Sequence, residues 1–252
     1  MVSPFGAELV GALERSHPSA TITHVEHVPA RLARYAAWPE WVEPRLRRVL
    51  TDAGVASPYL HQARCAELAW QGRDVVVSTG TSSGKSLGYQ LPVLTALAQD
   101  PTACAVYLTP TKALGSDQLQ ATLRMTQGAG LEGIHPAPYD GDTPVESRAG
   151  IREHSRYVFT NPDMLHAGML GSHARWARLL RHLKYIVVDE CHTYRGVFGA
   201  NVALVLRRLL RIASAYGSSP TLIYASATAA DPAGQALRLS GREAVAVTDD
   251  AA

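Results

Sequence analysis

The sequence lacks three features that would each indicate a particular class of protein: long apolar runs, paired cysteines and a signal peptide. No apolar run approaches the ~20 residues that a membrane-spanning helix needs, and the first residues do not have a signal-peptide pattern. The three cysteines, Cys65, Cys104 and Cys191, lie far apart without a C-x-x-C pair. Neither a disulfide framework nor a zinc site is therefore expected. We expect a cytoplasmic protein without membrane contacts.

Charge and lysine are also scarce. The 24 basic and 22 acidic residues leave a net charge of +2, which is too small to indicate a nucleic-acid partner by itself. Only three basic residues are lysines: Lys85, Lys112 and Lys184. The ten histidines are scattered without metal-ligand spacing. With 252 residues, 46% of them hydrophobic, the chain is long enough to bury a sizeable core.

From about residue 74 onward, apolar runs alternate with helical patterns. The runs are continuously apolar, which predicts strands buried on both faces, and alternation with helices predicts a parallel sheet between two helical layers. The predicted fold class is therefore α/β. The predicted strands are Asp74–Thr79, Cys104–Thr109, Tyr157–Thr160, Tyr185–Asp189, Leu222–Ser226 and Ala244–Thr248. The predicted helices after Gly72 are Lys85–Ala98, Lys112–Thr126, Val145–His154, Trp176–Arg181, Asn201–Tyr216 and Asp231–Leu239.

A glycine-, serine- and threonine-rich turn joins the first of these strands to the first of these helices. Gly84-Lys85-Ser86 fits the end of the phosphate-loop pattern G-x-x-x-x-G-K-[ST], although Thr79 replaces its first glycine. Exposed N–H groups in such a turn, and at the start of the next helix, bind phosphate. Lys85 would reach the β- and γ-phosphates of a nucleotide and Ser86 would hold Mg²⁺. The loop residues are Thr79, Gly80, Thr81, Ser82, Ser83, Gly84, Lys85 and Ser86.

Two adjacent acids follow the strand predicted at Tyr185–Asp189. Asp189 lies on the same predicted sheet edge as Lys85, where it can hold the Mg²⁺ that bridges the phosphates. Glu190 can then position and deprotonate an attacking water. The pattern is common when it stands alone, but beside a phosphate loop it predicts nucleotide hydrolysis with Asp189, Glu190 and Lys85 as catalytic residues.

Three further polar groups follow predicted strands. Ser226 and Thr228 can hydrogen-bond the segment around His192 and so report the state of the nucleotide; the alternative is an ordinary helix cap before Asp231. The other two groups place hydroxyls and amides at the sheet edge, which suits contacts to a sugar-phosphate backbone, or alternatively ordinary turn and cap chemistry. Their candidate backbone-contacting residues are Thr109, Thr111, Lys112, Thr160 and Asn161.

Taken in order, these segments resemble the Q motif and motifs I, Ia, Ib, II and III in the first RecA-like domain of superfamily 2 DExH-box helicases. The segments are Gln62, Thr79–Ser86, 110–114, 160–163, 189–192 and 226–228. Segments 111–118, 139–144, 161–166 and 192–199 resemble the mitomycin repair factor A (MrfA) helicases, with SftH-type and fungal RecQ-four-like relatives. The resemblance runs from about Pro29 to Pro232. It implies an N-terminal extension over 1–28 and a RecA-like P-loop NTPase domain over 29–252.

The resemblance also implies a function. Members of this family use ATP and Mg²⁺ to translocate 3′→5′ on single-stranded DNA and to unwind duplexes in DNA repair. Gln62 would then read the adenine, and His192, Ser226 and Thr228 would couple hydrolysis to DNA grip. The implied partners are single-stranded DNA with a 3′ tail, duplex junctions and a second RecA-like domain. Cys191 and Ser82 depart from common family residues, but both lie beside the key groups without replacing them.

Only 24 residues follow Thr228, which leaves no room for the second RecA-like domain and its arginine finger. We expect an N-terminal motor domain that binds ATP·Mg²⁺, hydrolyses it very slowly and unwinds nothing, because such a finger contributes on the order of 10³–10⁵ in rate. The alternatives are an RNA-dependent helicase-like ATPase and a nucleotide-responsive binding module that acts through a partner. A P-loop kinase is disfavoured because no acceptor-binding lid is recognisable.

Overall fold

A computed structural model of the chain describes residues 4–17, 19, 21–26 and 32–252. The chain divides into two compact units, one ending at Leu32 and the other spanning Ala33–Ala252. The first unit contains helix α1 (Pro4–Ser16). The predicted domain boundary between residues 28 and 29, and the resemblance's first residue Pro29, lie outside the described residues.

The described part of the second unit is built on a seven-stranded parallel sheet. Its strand order is β3-β4-β2-β5-β6-β1-β7. All six predicted strands are present, which confirms the α/β fold with a parallel sheet between helices. The strands are β1 (Val75–Ser78), β2 (Cys104–Leu108), β3 (Pro136–Pro138), β4 (Tyr157–Thr160), β5 (Leu183–Val188), β6 (Thr221–Ser226) and β7 (Val245–Val247).

Helices cover both faces of this sheet. Alternate residues of each strand enter opposite cores: Val77 and Tyr107 pack on one face, and Val76 and Val106 on the other. Burial on both faces explains why the strands are continuously apolar. The helices of the second unit are α2 (Pro44–Asp52), α3 (Leu60–Trp70), α4 (Ser86–Gln99), α5 (Lys112–Gly128), α6 (Val145–His154), α7 (Pro162–Met164), α8 (Ala177–Arg181), α9 (Gly196–Ala215) and α10 (Pro232–Ser240).

Three features differ from the sequence-based prediction. Strand β3 was not predicted, because a three-residue strand with two prolines has little β character and is tolerated only at a sheet edge, where it lies. Residues Leu165–Trp176 form a π-turn followed by a 3₁₀ segment, which the regular 3.6-residue period does not reveal. Helix α9 begins at Gly196, five residues before the predicted start at Asn201.

Among the described residues, no helix is both long enough and apolar enough to cross a bilayer.

Candidate functional site

The phosphate loop, the acid pair and the Ser-Ala-Thr segment follow three adjacent strands. Strand β6 lies between β1 and β5, with Ser78 paired to Ser226 and Val188 paired to Tyr224. Because all three strands are parallel, the segments that follow them emerge at one edge of the sheet. The structure therefore brings Lys85, Asp189 and Ser226 to the same rim.

The phosphate loop is a tight turn that runs from β1 into α4. Ser82 and Gly84 adopt positive φ values of 62° and 72°. A Cβ atom at Gly84 would lie 2.6 Å from Gln62 Nε2, so that position combines a left-handed backbone with a close approach that only glycine allows. The hydroxyls of Thr79 and Ser83 lie 2.6 Å apart and close the turn. Thr81 and Ser82 are exposed at its tip.

Lys85 binds only the backbone of its own loop. Its Nζ donates to the carbonyl of Gly80 at 2.6 Å and to that of Thr79 at 3.3 Å. The side chain is half-buried, and Ser86 follows as the first residue of α4. No carboxylate forms a salt bridge with Lys85 in the described structure. Its ammonium group is therefore held over the loop by backbone carbonyls, within electrostatic reach of the Asp250 carboxylate.

Two side chains from the start of α3 support the loop from below. Gln62 accepts from the Tyr59 N–H and donates to the Gly84 carbonyl, both at 2.8 Å. His61 is buried, and its Nε2 lies 3.0 Å from the Ser83 carbonyl while its Nδ1 accepts from Ala251 N–H at 3.2 Å. Nε2 is therefore the donor, and the ring is neutral. Burial lowers the pKa of His61, which agrees with this state.

The segment after β7 returns to the loop. The carboxylate of Asp250 accepts from the Gly80 N–H at 3.0 Å, and a Cβ at Gly80 would lie 2.9 Å from the same oxygen. An anionic oxygen thus already occupies a loop N–H, which shows that the turn accepts negative charge. Arg34 forms an ion pair with the preceding Asp249 on the surface.

Asp189 follows β5 and is fixed by donors on both oxygens. Its Oδ1 accepts from the Glu190 N–H at 2.8 Å. Its Oδ2 accepts from the Tyr107 hydroxyl and lies 3.2 Å from the Tyr89 hydroxyl. Tyr89 comes three residues after Ser86 on α4, so the acid lies against the helix face that follows the phosphate loop. Burial, followed by the nearby Asp189 charge, raises the pKa of both tyrosines, so both hydroxyls keep their protons.

Glu190 has a left-handed backbone, with φ 49° and ψ 37°. Among the described non-glycine residues only Ser82, His135 and Glu190 have positive φ, and two of these three lie in this site. Such conformations cost energy and persist where the surroundings impose them. The turn directs the Glu190 side chain away from Asp189 and towards His192, whose Nδ1 is 3.2 Å from Glu190 Oε2.

The same nitrogen of His192 also lies 3.2 Å from the backbone N–H of Ala227. A backbone N–H can only donate, so Nδ1 accepts in the contact with Ala227. Nδ1 can donate to Glu190 only when it carries a hydrogen, in the other tautomer or in the protonated ring. His192 can therefore bond with Glu190 or with Ala227, but not with both at once. Ser226 is buried and donates to the Ala227 carbonyl at 2.7 Å, whereas Thr228 is exposed.

A separate cleft of about 510 Å³ contains every residue that the sequence predicts to contact a nucleic-acid backbone. Three of those residues already hold local structure. Thr111 caps α5 by accepting from the Leu114 N–H, Asn161 caps α7 by accepting from the Met164 N–H, and Thr160 donates to the Tyr139 carbonyl at 2.7 Å. The residues concerned are Thr109, Thr111, Lys112, Thr160 and Asn161.

The remaining two cleft residues, Lys112 and Thr109, have polar groups that do not hold local backbone structure. Lys112 is exposed and its Nζ lies 2.6 Å from Asp142 Oδ2 across the cleft, and this hydrogen bond raises the pKa of Lys112. The Thr109 hydroxyl is buried and has no hydrogen-bond partner among the described residues. The nucleic-acid role of all five residues stays a prediction.

Sequence reasoning missed four residues of the candidate site: His61, Tyr89, Tyr107 and Asp250. The spacing of Tyr89 from Ser86 was a usable signal, because i and i+3 share a helix face. The other three reach the site through tertiary packing from other elements, and nothing in their local sequence marks them. No cluster of three or more His, Cys, Asp or Glu suited to a metal occurs in the described part of the chain.

The fold and the loop together define a RecA-like P-loop NTPase domain. Residues 59–236 match the DEAD/DEAH box helicase family. The chain is 42% identical over 231 residues to the ATP-dependent helicase YprA of Bacillus subtilis. This match covers 92% of this chain and 31% of YprA. It is 40% identical over 212 residues to the ATP-dependent helicase HRQ1 of Saccharomyces cerevisiae, covering 84% of this chain and 19% of HRQ1.

Solved structures agree with these relatives. The DUF1998 helicase MrfA bound to DNA superposes with a TM-score of 0.91 at 40% sequence identity, over 98% of this chain and 34% of MrfA. The chain belongs to the DEAD/DEAH box helicase family, and within it resembles MrfA, YprA and HRQ1, which confirms the resemblance drawn from its motifs. It spans about a third or less of the length of these relatives.

Proposed function

We propose that this chain is the ATP-binding first motor domain of an ATP-dependent DNA helicase that acts in DNA repair. The observation that carries the proposal is the single rim to which the parallel strands bring Lys85, Asp189 and Glu190, beside a phosphate loop that retains Gly84-Lys85-Ser86. Similarity to MrfA bound to DNA and AMPPNP supports nucleotide and DNA as its ligands. We further propose that the helicase moves 3′→5′ on single-stranded DNA, as the motif resemblance implies, and that it acts in the cytoplasm.

The residues of the loop fit a Mg²⁺-bound triphosphate. Lys85 holds its ammonium group over the loop, and the Gly80 N–H already binds a carboxylate oxygen. Ser86 Oγ and Asp189 are the hard oxygen donors that Mg²⁺ prefers. When bound, the ion neutralises charge on the β- and γ-phosphates. Gln62 already bonds the Tyr59 N–H and the Gly84 carbonyl, so it would contact the adenine through the remaining lone pair and hydrogen of its amide.

Glu190 is the proposed base for the attacking water. Its left-handed backbone separates its carboxylate from that of Asp189, so the two acids face different partners. His192 bonds alternatively with Glu190 or with Ala227, and this gives hydrolysis a mechanical link to the segment that contains Ser226 and Thr228. In the full-length helicase a second RecA-like domain completes the site; the first domain alone is expected to bind ATP and hydrolyse it very slowly.

The cleft that Lys112 lines is the proposed binding site for the backbone of single-stranded DNA at a 3′ tail or a duplex junction. Hydroxyls, amides and the start of α5 favour phosphate contacts over base readout. Such contacts do not discriminate DNA from RNA, so an RNA-dependent ATPase is the outcome to test against.

The test is ATP binding and ATPase activity with oligothymidine or oligouridine, for this chain and for a version extended at its C-terminus. We expect both to bind ATP·Mg²⁺ and only the extended version to show strong, DNA-stimulated turnover. Glu190→Gln in the extended version should keep ATP binding and lose turnover. Strong DNA-stimulated ATPase from the monomeric 252-residue chain would contradict the proposal, and stimulation by oligouridine alone would reassign the substrate to RNA.

A further inference from the structure

We propose that Tyr107 and Tyr89 are positioning residues for Asp189, and that Gln118 on α5 controls how often the Tyr89 hydroxyl donates its hydrogen bond to that carboxylate. The inference rests on the proposed role of Asp189 as the Mg²⁺ carboxylate. It adds two tyrosines and a glutamine that belong to none of the helicase motifs that define the ATP site.

The two tyrosines hold the carboxylate from different elements. Tyr107 lies on β2, where it pairs with Val187 two residues before Asp189, and its hydroxyl donates to Asp189 Oδ2. Tyr89 approaches the same oxygen from α4 at 3.2 Å. Both side chains are at most 1% exposed, and their rings pack 5.9 Å apart. Packing this close locks their rotamers, so the hydroxyl positions are set by the core and not by solvent.

Counting protons shows that Tyr89 has two competing acceptors. A tyrosine hydroxyl carries one proton. The Tyr89 oxygen lies 2.9 Å from Gln118 Oε1 and 3.2 Å from Asp189 Oδ2, so at any moment it donates to only one of them. If the Gln118 amide turns its NH₂ towards Tyr89, the hydroxyl accepts from Gln118 and donates to Asp189. The number of donors on Asp189 Oδ2 thus depends on Gln118.

Gln118 lies on the helix that opens onto the proposed DNA cleft. Helix α5 is capped by Thr111 and begins at Lys112, and both residues line that cleft. Gln118 is six residues, or about 9 Å, further along the helix. A shift of α5 on binding a phosphate backbone would move the Gln118 amide relative to Tyr89. Helix α5 thus connects the cleft to Gln118, and hydrogen bonds connect Gln118 through Tyr89 to Asp189.

The first experiment measures the Mg²⁺ concentration that half-saturates AMPPNP binding to this chain, with AMPPNP affinity in EDTA as the reference. Partners that orient a metal ligand contribute roughly 10–100-fold to metal affinity. We expect Tyr107→Phe to raise the half-saturating Mg²⁺ concentration roughly tenfold while affinity in EDTA is unchanged. A purely structural role would weaken both together.

Tyr157→Phe is the matched control. Tyr157 is a buried tyrosine in the same core, and its hydroxyl has no partner among the described residues. Its loss should leave the half-saturating Mg²⁺ concentration unchanged. Asp189→Asn separates the two proposals. If Asp189→Asn abolishes the Mg²⁺ dependence of AMPPNP binding but Tyr107→Phe leaves the half-saturating Mg²⁺ concentration unchanged, the positioning inference is wrong. If Asp189→Asn itself has no effect, the proposed function fails first.

The second experiment is a double-mutant cycle between Tyr89 and Gln118 with the same readout. Gln118→Leu removes the acceptor that competes with Asp189 for the Tyr89 hydroxyl, and should lower the half-saturating Mg²⁺ concentration roughly threefold, the effect of one ordinary hydrogen bond. Tyr89→Phe should raise it, and Gln118→Leu should then have no further effect. Additive effects of the two substitutions, or an unchanged value in Gln118→Leu, would overturn the role of Gln118.

Discussion

Lys85→Ala separates the proposed phosphate-binding role of this side chain from its part in holding the loop. Its Nζ binds two loop carbonyls, and the side chain is only half-buried. Water can replace those contacts, so the free energy of unfolding should fall by about 1 kcal/mol or less. On phosphates the same ammonium group makes charge-assisted bonds worth about 1.5–3 kcal/mol each. A loss of about 2.7 kcal/mol is a factor of about 100 in affinity.

The assay is urea unfolding with ATP·Mg²⁺ at 100 times the dissociation constant of the unmodified chain. Ligand then stabilises the unmodified chain by about 2.7 kcal/mol, but Lys85→Ala by only about 0.4 kcal/mol. Lys184→Ala is the control. Lys184 is an exposed residue of β5 whose ammonium group lies over the ring of Trp70, outside the loop and the acid pair. Its ligand stabilisation should stay at about 2.7 kcal/mol. Equal stabilisation of Lys85→Ala and the unmodified chain would refute the phosphate-loop assignment.

Three further predictions concern other parts of the structure. Burial lowers the pKa of His61 below its usual value of 6.5. As the pH falls below 6.5, the unfolded chain therefore binds a proton that the folded chain does not, and the free energy of unfolding decreases. His61→Gln should flatten this pH dependence in urea titrations at about pH 5–8. Arg242→Met removes the charged partner of the buried Asp74 carboxylate, which keeps its hydrogen bond from the Leu222 N–H, and should cost about 3 kcal/mol in urea unfolding. Lys112→Ala should reduce the salt slope of single-stranded DNA binding by about 0.7, measured by fluorescence anisotropy.

Each of these has an outcome that contradicts it. Parallel pH slopes for His61→Gln and the unmodified chain would show that the ring titrates normally. If Arg242→Met costs less than about 1 kcal/mol, the Asp74 carboxylate is not held by this pair. An unchanged salt slope for Lys112→Ala would mean that Asp142 keeps this ammonium group when DNA is bound.

The sheet and the motif positions were predictable because both are local. Apolar runs such as Val75–Ser78 followed by a Gly-Lys-Ser turn specify a strand, a loop and a helix within about a dozen residues. Parallel pairing then brings the ends of β1, β6 and β5 together without further information. The same regularity explains the failures, since β3 and the Leu165–Trp176 segment have neither a clean period nor favourable propensities.

The parts of the site that escaped prediction depend on distant contacts. Asp250 reaches the Gly80 N–H across 170 positions of sequence, and Tyr107 reaches Asp189 across 82. Aspartates near the end of a chain and a tyrosine within a buried strand each have ordinary local explanations. Only the packed structure shows that Asp250 binds the phosphate loop and that Tyr107 fixes Asp189.

The central claim is that Lys85 binds nucleotide phosphate on the same rim as Asp189 and Glu190. The chain has only three lysines, so acetylation followed by mass spectrometry reports on each of them in a single sample. With AMPPNP·Mg²⁺ we expect Lys85 to be protected while Lys112 and Lys184 react as before, and with oligothymidine we expect protection of Lys112 instead. Acetylation of Lys85 at the same rate with and without saturating AMPPNP·Mg²⁺ would contradict the claim.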